Sequence, residues 1–228
     1  MAPEINLVDF FGAYKALPHQ KEAVQLLQSS ASADLLKNSA AWVLKYRETP
    51  PAPAISNPLE VQYFWQQDNG PEGWRQCQTS SIAMALNYLQ TPGIDDDLDY
   101  LRIVRTYGDT TEQATHTKAL SHLKVDARFA TNLHKSDVMN QIDHGKPLPC
   151  GILHHGSANS PTGGGHYICV IGYDDTAVIC HDPYGELDMT SGTWAATGQQ
   201  DGKFVHYSWT NFLKRWDVNG GGGWAWLF

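Results

Sequence analysis

The sequence has no CxxC pair, no HExxH unit, no long apolar run and no block of basic residues, and each absence removes a class of function. Its four cysteines, Cys77, Cys150, Cys169 and Cys180, lack zinc-site spacing and are too few for a disulfide framework in 228 residues. Reduced thiols are therefore expected, and no metal or other cofactor is called for. No apolar stretch reaches the roughly 20 residues of a membrane-spanning helix, so no transmembrane segment is expected. Met1-Ala2-Pro3-Glu4-Ile5-Asn6 has neither the cationic start nor the apolar centre of a secretory signal, which predicts synthesis in the cytoplasm. Lys and Arg number 16 against 24 Asp and Glu, for a net charge of -8, and no basic run alternates with aromatics. A nucleic-acid partner is thereby disfavoured. Asp95-Asp96-Asp97 lacks the full spacing and closing Glu of a calcium loop, and His154-His155 stand without further ligands in a metal motif. Nothing in the sequence specifies an oligomeric state.

What is present is enough apolar material, 42% of the chain, for one sizeable core and a small appendage. Leu7, Phe10, Phe11 and Tyr14 fall on one helical face, as do Ala23, Leu26 and Leu27. Leu35, Ser39, Trp42, Val43 and Tyr46 make a third stripe. Residues 1–49 are thus expected to form a helical appendage, and 50–58, with Pro50, Pro51 and Pro53, a stiff connector. Residues 59–228 then form one domain.

Within that domain the order is helices first and sheet second, which predicts an α+β fold. Val61–Trp65 reads as a short strand, and a helix should begin close to Cys77 and stop before Pro92-Gly93. Further helices are expected over Leu98–Thr106, Thr111–Leu123 and Ser136–Asp143, with a strand at Val125–Phe129. Leu148–Leu153, His166–Tyr173 and Ala177–Asp182 are apolar runs separated by turn residues, an antiparallel meander. Phe204–Tyr207 and Gly223–Phe228 add strands around a Trp209–Trp216 helix.

Chemistry concentrates at four positions. A thiol reacts as thiolate, which a helix N-terminus and a neighbouring imidazolium both favour. Cys77 stands at a helix start among polar residues, whereas Cys150, Cys169 and Cys180 sit in apolar runs. His166 opens a strand directly after Gly163-Gly164-Gly165, at the sheet edge, and Asp182 closes the next strand. Pairing His166 with Asp182 centres the turn on Asp174 and sets Cys169 opposite Ile179, leaving Cys180 on the other face and a Cys169–Cys180 disulfide disfavoured. Asp182 would then fix the tautomer of His166 and stabilise its cation. The oxyanion of an acyl intermediate would be met by the Cys77 backbone N–H and one side-chain amide. Gln66 is the first choice for that amide, Gln67 its nearest competitor, and Gln76 reads as a solvated helix-entry residue.

Gln66-Gln67-Asp68-Asn69, then Cys77-x-x-Ser80-Ser81-x-Ala83-Met84-Ala85-Leu86, then Gly165-His166-Tyr167 with Val170-x-Gly172-Tyr173-Asp174, then Asp182-Pro183, together resemble the papain-like cysteine peptidases of the bacteriocin-processing (double-glycine) peptidase-like family. The resemblance covers residues 60–228 and implies a papain-like fold with Cys77 as nucleophile, His166 as base, Asp182 as orienting acid and Gln66 as oxyanion donor. Two features depart from relatives: Cys77-Gln78-Thr79 replaces Cys-Gly-Pro, and Gln66 lies further ahead of the cysteine than in papain. The serine-rich turn after the cysteine is similar to domains of cell-wall-acting bacterial and phage proteins. It implies a peptide substrate, specifically peptidoglycan peptide in an endolysin-like setting. An inactive peptide- or wall-binding relative and a transglutaminase-like acyl transferase are the alternative readings.

Overall fold

The computed structural model describes residues 57–218 and 220–228. The three helical stripes expected within 1–49 and the connector up to residue 56 lie outside the described residues.

The first helix, α1 (Cys77–Tyr88), is buried along every residue from Gln78 to Leu86. A helix enclosed on all sides must be central, and its small residues (Ser80, Ser81, Ala83, Ala85) let it lie close against the sheet. It is followed by α2 (Asp97–Arg105) and α3 (Gln113–His122). Then come β1 (Arg128–Leu133), α4 (Lys135–Asp143) and β2 (Leu148–Ile152). The meander of β3 (His166–Tyr173) and β4 (Ala177–His181) carries the apolar runs seen in the sequence. A small hairpin, β5 (Glu186–Asp188) and β6 (Thr193–Ala196), precedes β7 (Val205–Ser208), α5 (Trp209–Trp216) and β8 (Gly223–Leu227).

Six strands form one antiparallel sheet in the order β1-β8-β2-β3-β4-β7, so the last strand in the chain inserts between β1 and β2. β5 and β6 pair apart from it. The centre of the sheet, β2 and β3, is buried on both faces, from Leu148 to Ile152 and from His166 to Gly172. α1, α4 and α5 pack on these strands or their neighbours. Local signals start the helices. Asp96 accepts from the Asp99 N–H at α2, Asp137 accepts from the His134 N–H at α4, and Ser208 accepts from the Asn211 N–H at α5. On α5, Trp209, Phe212 and Trp216 recur at helical spacing and are buried.

The mixed fold of helices against an antiparallel sheet is the α+β, papain-like architecture expected. Three local expectations are corrected. Val61–Trp65 is not a strand: its surroundings bond irregularly, Leu59 N–H to Ile171 O, Gln66 N–H to Pro183 O, and the Val61 carbonyl to His181 Nε2. The strand expected at Val125–Phe129 begins only at Arg128 and runs on to Leu133. The β3–β4 register is also displaced: Cys169 faces His181 and Val170 faces Cys180, whereas Gly172 faces Ile179. A bulge between Val170 and Gly172 inserts the extra residue. Because the displacement at Cys169 is two residues, alternation is preserved and Cys169 and Cys180 still occupy opposite faces. All four cysteines are free thiols.

Candidate active site

Cys77 is the first residue of α1, and no side chain caps that helix. The orphan N–H groups of its first turn therefore remain beside the thiol, where their partial positive charge favours an anion. Cys77 is part-buried, whereas Cys150, Cys169 and Cys180 are fully enclosed. Burial pushes the Cys77 thiol up, but a hydrogen bond and the charge of His166, with the Tyr167 backbone N–H, outweigh it. The net displacement is below the ordinary thiol value. Burial raises the other three thiols.

His166 is the first residue of β3 and pairs with Ile152 of β2. It lies on a central strand and is only 4% exposed, so the expected position at the sheet edge is corrected to the end of an interior strand. Its Nε2 donates to Asp182 Oδ1 at 2.7 Å, which leaves Nδ1 for the Cys77 thiol. Burial would lower the imidazole, but the charge and hydrogen bond of Asp182, reinforced by the thiol, turn the shift upward. Thiol down and imidazole up are the directions that favour a thiolate–imidazolium pair. The two triad candidates on the sheet meet across a displaced register: His166 is a diagonal, not a direct, cross-strand neighbour of Asp182.

Asp182 is fully buried and every side-chain oxygen is engaged. Oδ1 also accepts the Tyr184 N–H at 3.1 Å, and Oδ2 accepts the Tyr207 hydroxyl at 2.8 Å. Its backbone is held as well, by Gly202 O on its N–H and by the Tyr63 hydroxyl on its carbonyl. Gly202 packs so closely that a Cβ there would stand 1.8 Å from the Asp182 oxygen.

Of the glutamines, Gln66 is fully buried in a short 3₁₀ turn, and its Nε2 donates to Gly73 O at 2.8 Å, leaving one amide hydrogen free. Gln67 is part-buried in the same turn. Gln76, expected to be solvated, is only 1% exposed. Its Oε1 accepts from Thr79, and its Nε2 is buried without a protein partner. The acidic run 95–97 has a structural use. Asp96 caps α2, and buried Asp97 receives hydrogen bonds from Ser80 of α1 and from Asn69, at the end of the Gln66 turn.

An aromatic wall completes the surroundings of His166. The Trp194 ring lies 5.1 Å away at 87°, and the Tyr184 ring lies tilted against Trp194 at 4.5 Å. His154 lies 5.7 Å from His166 and is held neutral, down to about 4, by burial and then by the charges of His166 and His155. None of Trp194, Tyr184, Tyr207 or Tyr63 was singled out from the sequence. The alternation of Val205 and Tyr207 marks them as inward-facing, but no local signal marks a hydroxyl aimed at Asp182.

The chain contains a thiol, an imidazole and a carboxylate in series at one end of a buried helix and sheet. A protein-family profile, described as the Peptidase_C39 like family, matches residues 58–221. No curated protein sequence matches the chain. Among solved structures it is similar to a crystal structure provisionally described as a C39-like peptidase from Bacillus anthracis, with 16% identity and a TM-score of 0.48 over 74% of this chain and 95% of the other. With the profile spanning nearly all of the described residues, the chain belongs to the Peptidase_C39 like family and is a cysteine peptidase, a hydrolase of peptide bonds.

Proposed function

We propose that Cys77 attacks the scissile carbonyl, His166 carries the proton and Asp182 orients the ring. The observation that carries this reading is the His166 ring bonded to Asp182 at 2.7 Å and, on its other side, lowering the Cys77 thiol. The thiolate adds to the carbonyl carbon and the imidazolium gives its proton to the leaving amine. Water, deprotonated by the same imidazole, then releases the acid and restores the thiolate. The oxyanion of each tetrahedral intermediate is met by the Cys77 backbone N–H and by the free amide hydrogen of Gln66. Gln67, in the same turn, is the competing donor.

The substrate proposed is a peptidoglycan peptide, in an endolysin-like role. Support comes from the similarity of the serine-rich turn after Cys77 to wall-acting domains. The negative net charge favours a wall poor in acidic polymers. Digestion of purified peptidoglycan by the full chain, with mass analysis of released fragments and Cys77→Ala as control, tests it. Release of stem-peptide fragments by the wild type alone is expected, with hydrolysed ends. No release, alongside cleavage of a soluble peptide, would remove the wall substrate while leaving the chemistry. Fragments joined to an added amine would convert the hydrolase into an acyl transferase.

A further inference from the structure

Arg215 lies on the buried face of α5 with Trp209, Phe212 and Trp216, and is itself 0% exposed. An apolar side chain would continue that face without the cost of desolvating a cation. The guanidinium must therefore be explained by what it holds. All its hydrogen bonds go to backbone carbonyls: Nε to Met189 at 2.8 Å, Nη1 to Leu153 at 2.8 Å and His155 at 3.3 Å, and Nη2 to Gly156 at 2.7 Å. Its own carbonyl accepts the Leu153 N–H at 2.9 Å, so both ends of the residue are fastened to the chain leaving β2.

The segments so fastened are those that flank the base. Leu153, His155 and Gly156 bracket His154, and Met189 begins the turn that leads to Trp194. The two segments are stacked so tightly that a Cβ on Gly192 would lie 2.3 Å from the Gly156 oxygen. From them, the rings of His154 and Trp194 are presented at 5.7 and 5.1 Å from the His166 ring.

We propose that Arg215 is a positioning residue for the acid–base pair: its guanidinium ties the 153–156 segment to the β5–β6 turn, and so holds the His154 and Trp194 rings against His166. This rests on the reading of Cys77, His166 and Asp182 as the reacting series. A planar fork with several donors is suited to gathering carbonyls from two chain segments, which a lysine ammonium cannot do from the same stem. With the wall released, water reaches the imidazole, its alignment with Asp182 and the thiol loosens, and the Cys77 pKa returns toward that of an ordinary thiol.

The test uses the full chain and needs no substrate. The rate of iodoacetamide alkylation at Cys77, mapped by peptide mass spectrometry, is followed from pH 4 to pH 9 for wild type, Arg215→Ala and Arg215→Lys, together with melting temperatures. In Arg215→Ala the acid limb is expected to move up by about one unit, making alkylation at any pH on the rising part of the limb about tenfold slower. Added guanidinium ion at low millimolar concentration should restore part of the rate, and Arg215→Lys should fall between. A folded variant with a lower melting temperature but the wild-type limb would make Arg215 purely structural and overturn the proposal. Should Arg215→Ala fail to fold, a wild-type limb in folded Arg215→Lys does the same. If wild-type Cys77 is not alkylated in preference to the other thiols, the reacting series itself is wrong and this inference falls with it.

Discussion

Tyr207 and Asp182 are joined at 2.8 Å through the carboxylate oxygen that His166 does not use. The same phenol oxygen accepts the Leu187 N–H at 2.9 Å, so one hydroxyl links β7, Asp182 and the start of the β5–β6 hairpin. Tyr207→Phe leaves a buried carboxylate oxygen and a backbone N–H without partners. The expected loss is about 1–3 kcal/mol of stability, read by urea unfolding. Unchanged stability would mean that water or a shifted neighbour replaces the hydroxyl at no cost.

Iodoacetamide is expected to inactivate the protein by modifying Cys77 well before Cys150, Cys169 or Cys180, whose thiols are enclosed and raised. Cys77→Ala should abolish turnover with little change in melting temperature. Asp182→Asn should retain the fold and lower turnover on the order of 10²–10⁴-fold, because the ring loses the partner that fixes its tautomer. Wild-type turnover in Cys77→Ala would remove the thiol mechanism.

Gly202→Ala asks whether the carbonyl of Asp182 can move. The added methyl would overlap backbone atoms, which do not swing aside as a long side chain would. A loss of about 1–3 kcal/mol is expected, with slower alkylation of Cys77. A variant as stable as wild type would show that the Gly202 loop is free to slide.

Acid should weaken the fold through two histidines that are not part of the site. Burial lowers His116 and His181 to about 4, against about 6.5 unfolded. His116 lies between the Tyr100 hydroxyl and the Thr110 carbonyl, and His181 between the Val61 carbonyl and the Phe204 N–H. Between pH 6.5 and 4 the unfolded chain binds these protons and the folded chain does not, so stability present above 6.5 falls as pH drops through that window. His166 has the opposite sign: raised to about 10, its contribution is complete below 6.5 and is lost as pH climbs toward 10. Unfolding free energy followed from pH 6.5 to pH 4 should decline, and His181→Gln should flatten the decline by about one proton. An equal slope in wild type and variant would show that His181 is not held neutral.

Helices were legible where an apolar stripe ran between turn residues: α1 starts at Cys77 and stops before Pro92-Gly93, and α5 spans Trp209–Trp216 as read. β3 was legible as a continuous apolar run, because a strand buried on both faces has that composition. Its register with β4 was not, since a bulge has no sequence mark when Ile171 resembles its neighbours. Val61–Trp65 had a strand's composition without a strand's partner. The β5–β6 hairpin was missed for the converse reason: Glu186–Asp188 and Thr193–Ala196, three and four residues long, are too short to stand out, yet they carry Trp194 to His166. The order of Cys77, His166 and Asp182 along the chain identified the candidates, but the hydroxyls that seat Asp182 come from distant segments that only folding brings together.

The position of β8 in the sheet makes the interior depend on a strand that is made late. Cys77, His166 and Asp182 leave the ribosome well before Gly223–Leu227, yet β8 separates β1 from β2 and supplies Trp226 and Ala225 to the core. A nascent chain that already contains every reacting group but ends short of Gly223 has a gap in the middle of its sheet. Such a chain leaves β2, the strand paired with that of His166, without its neighbour on the other side.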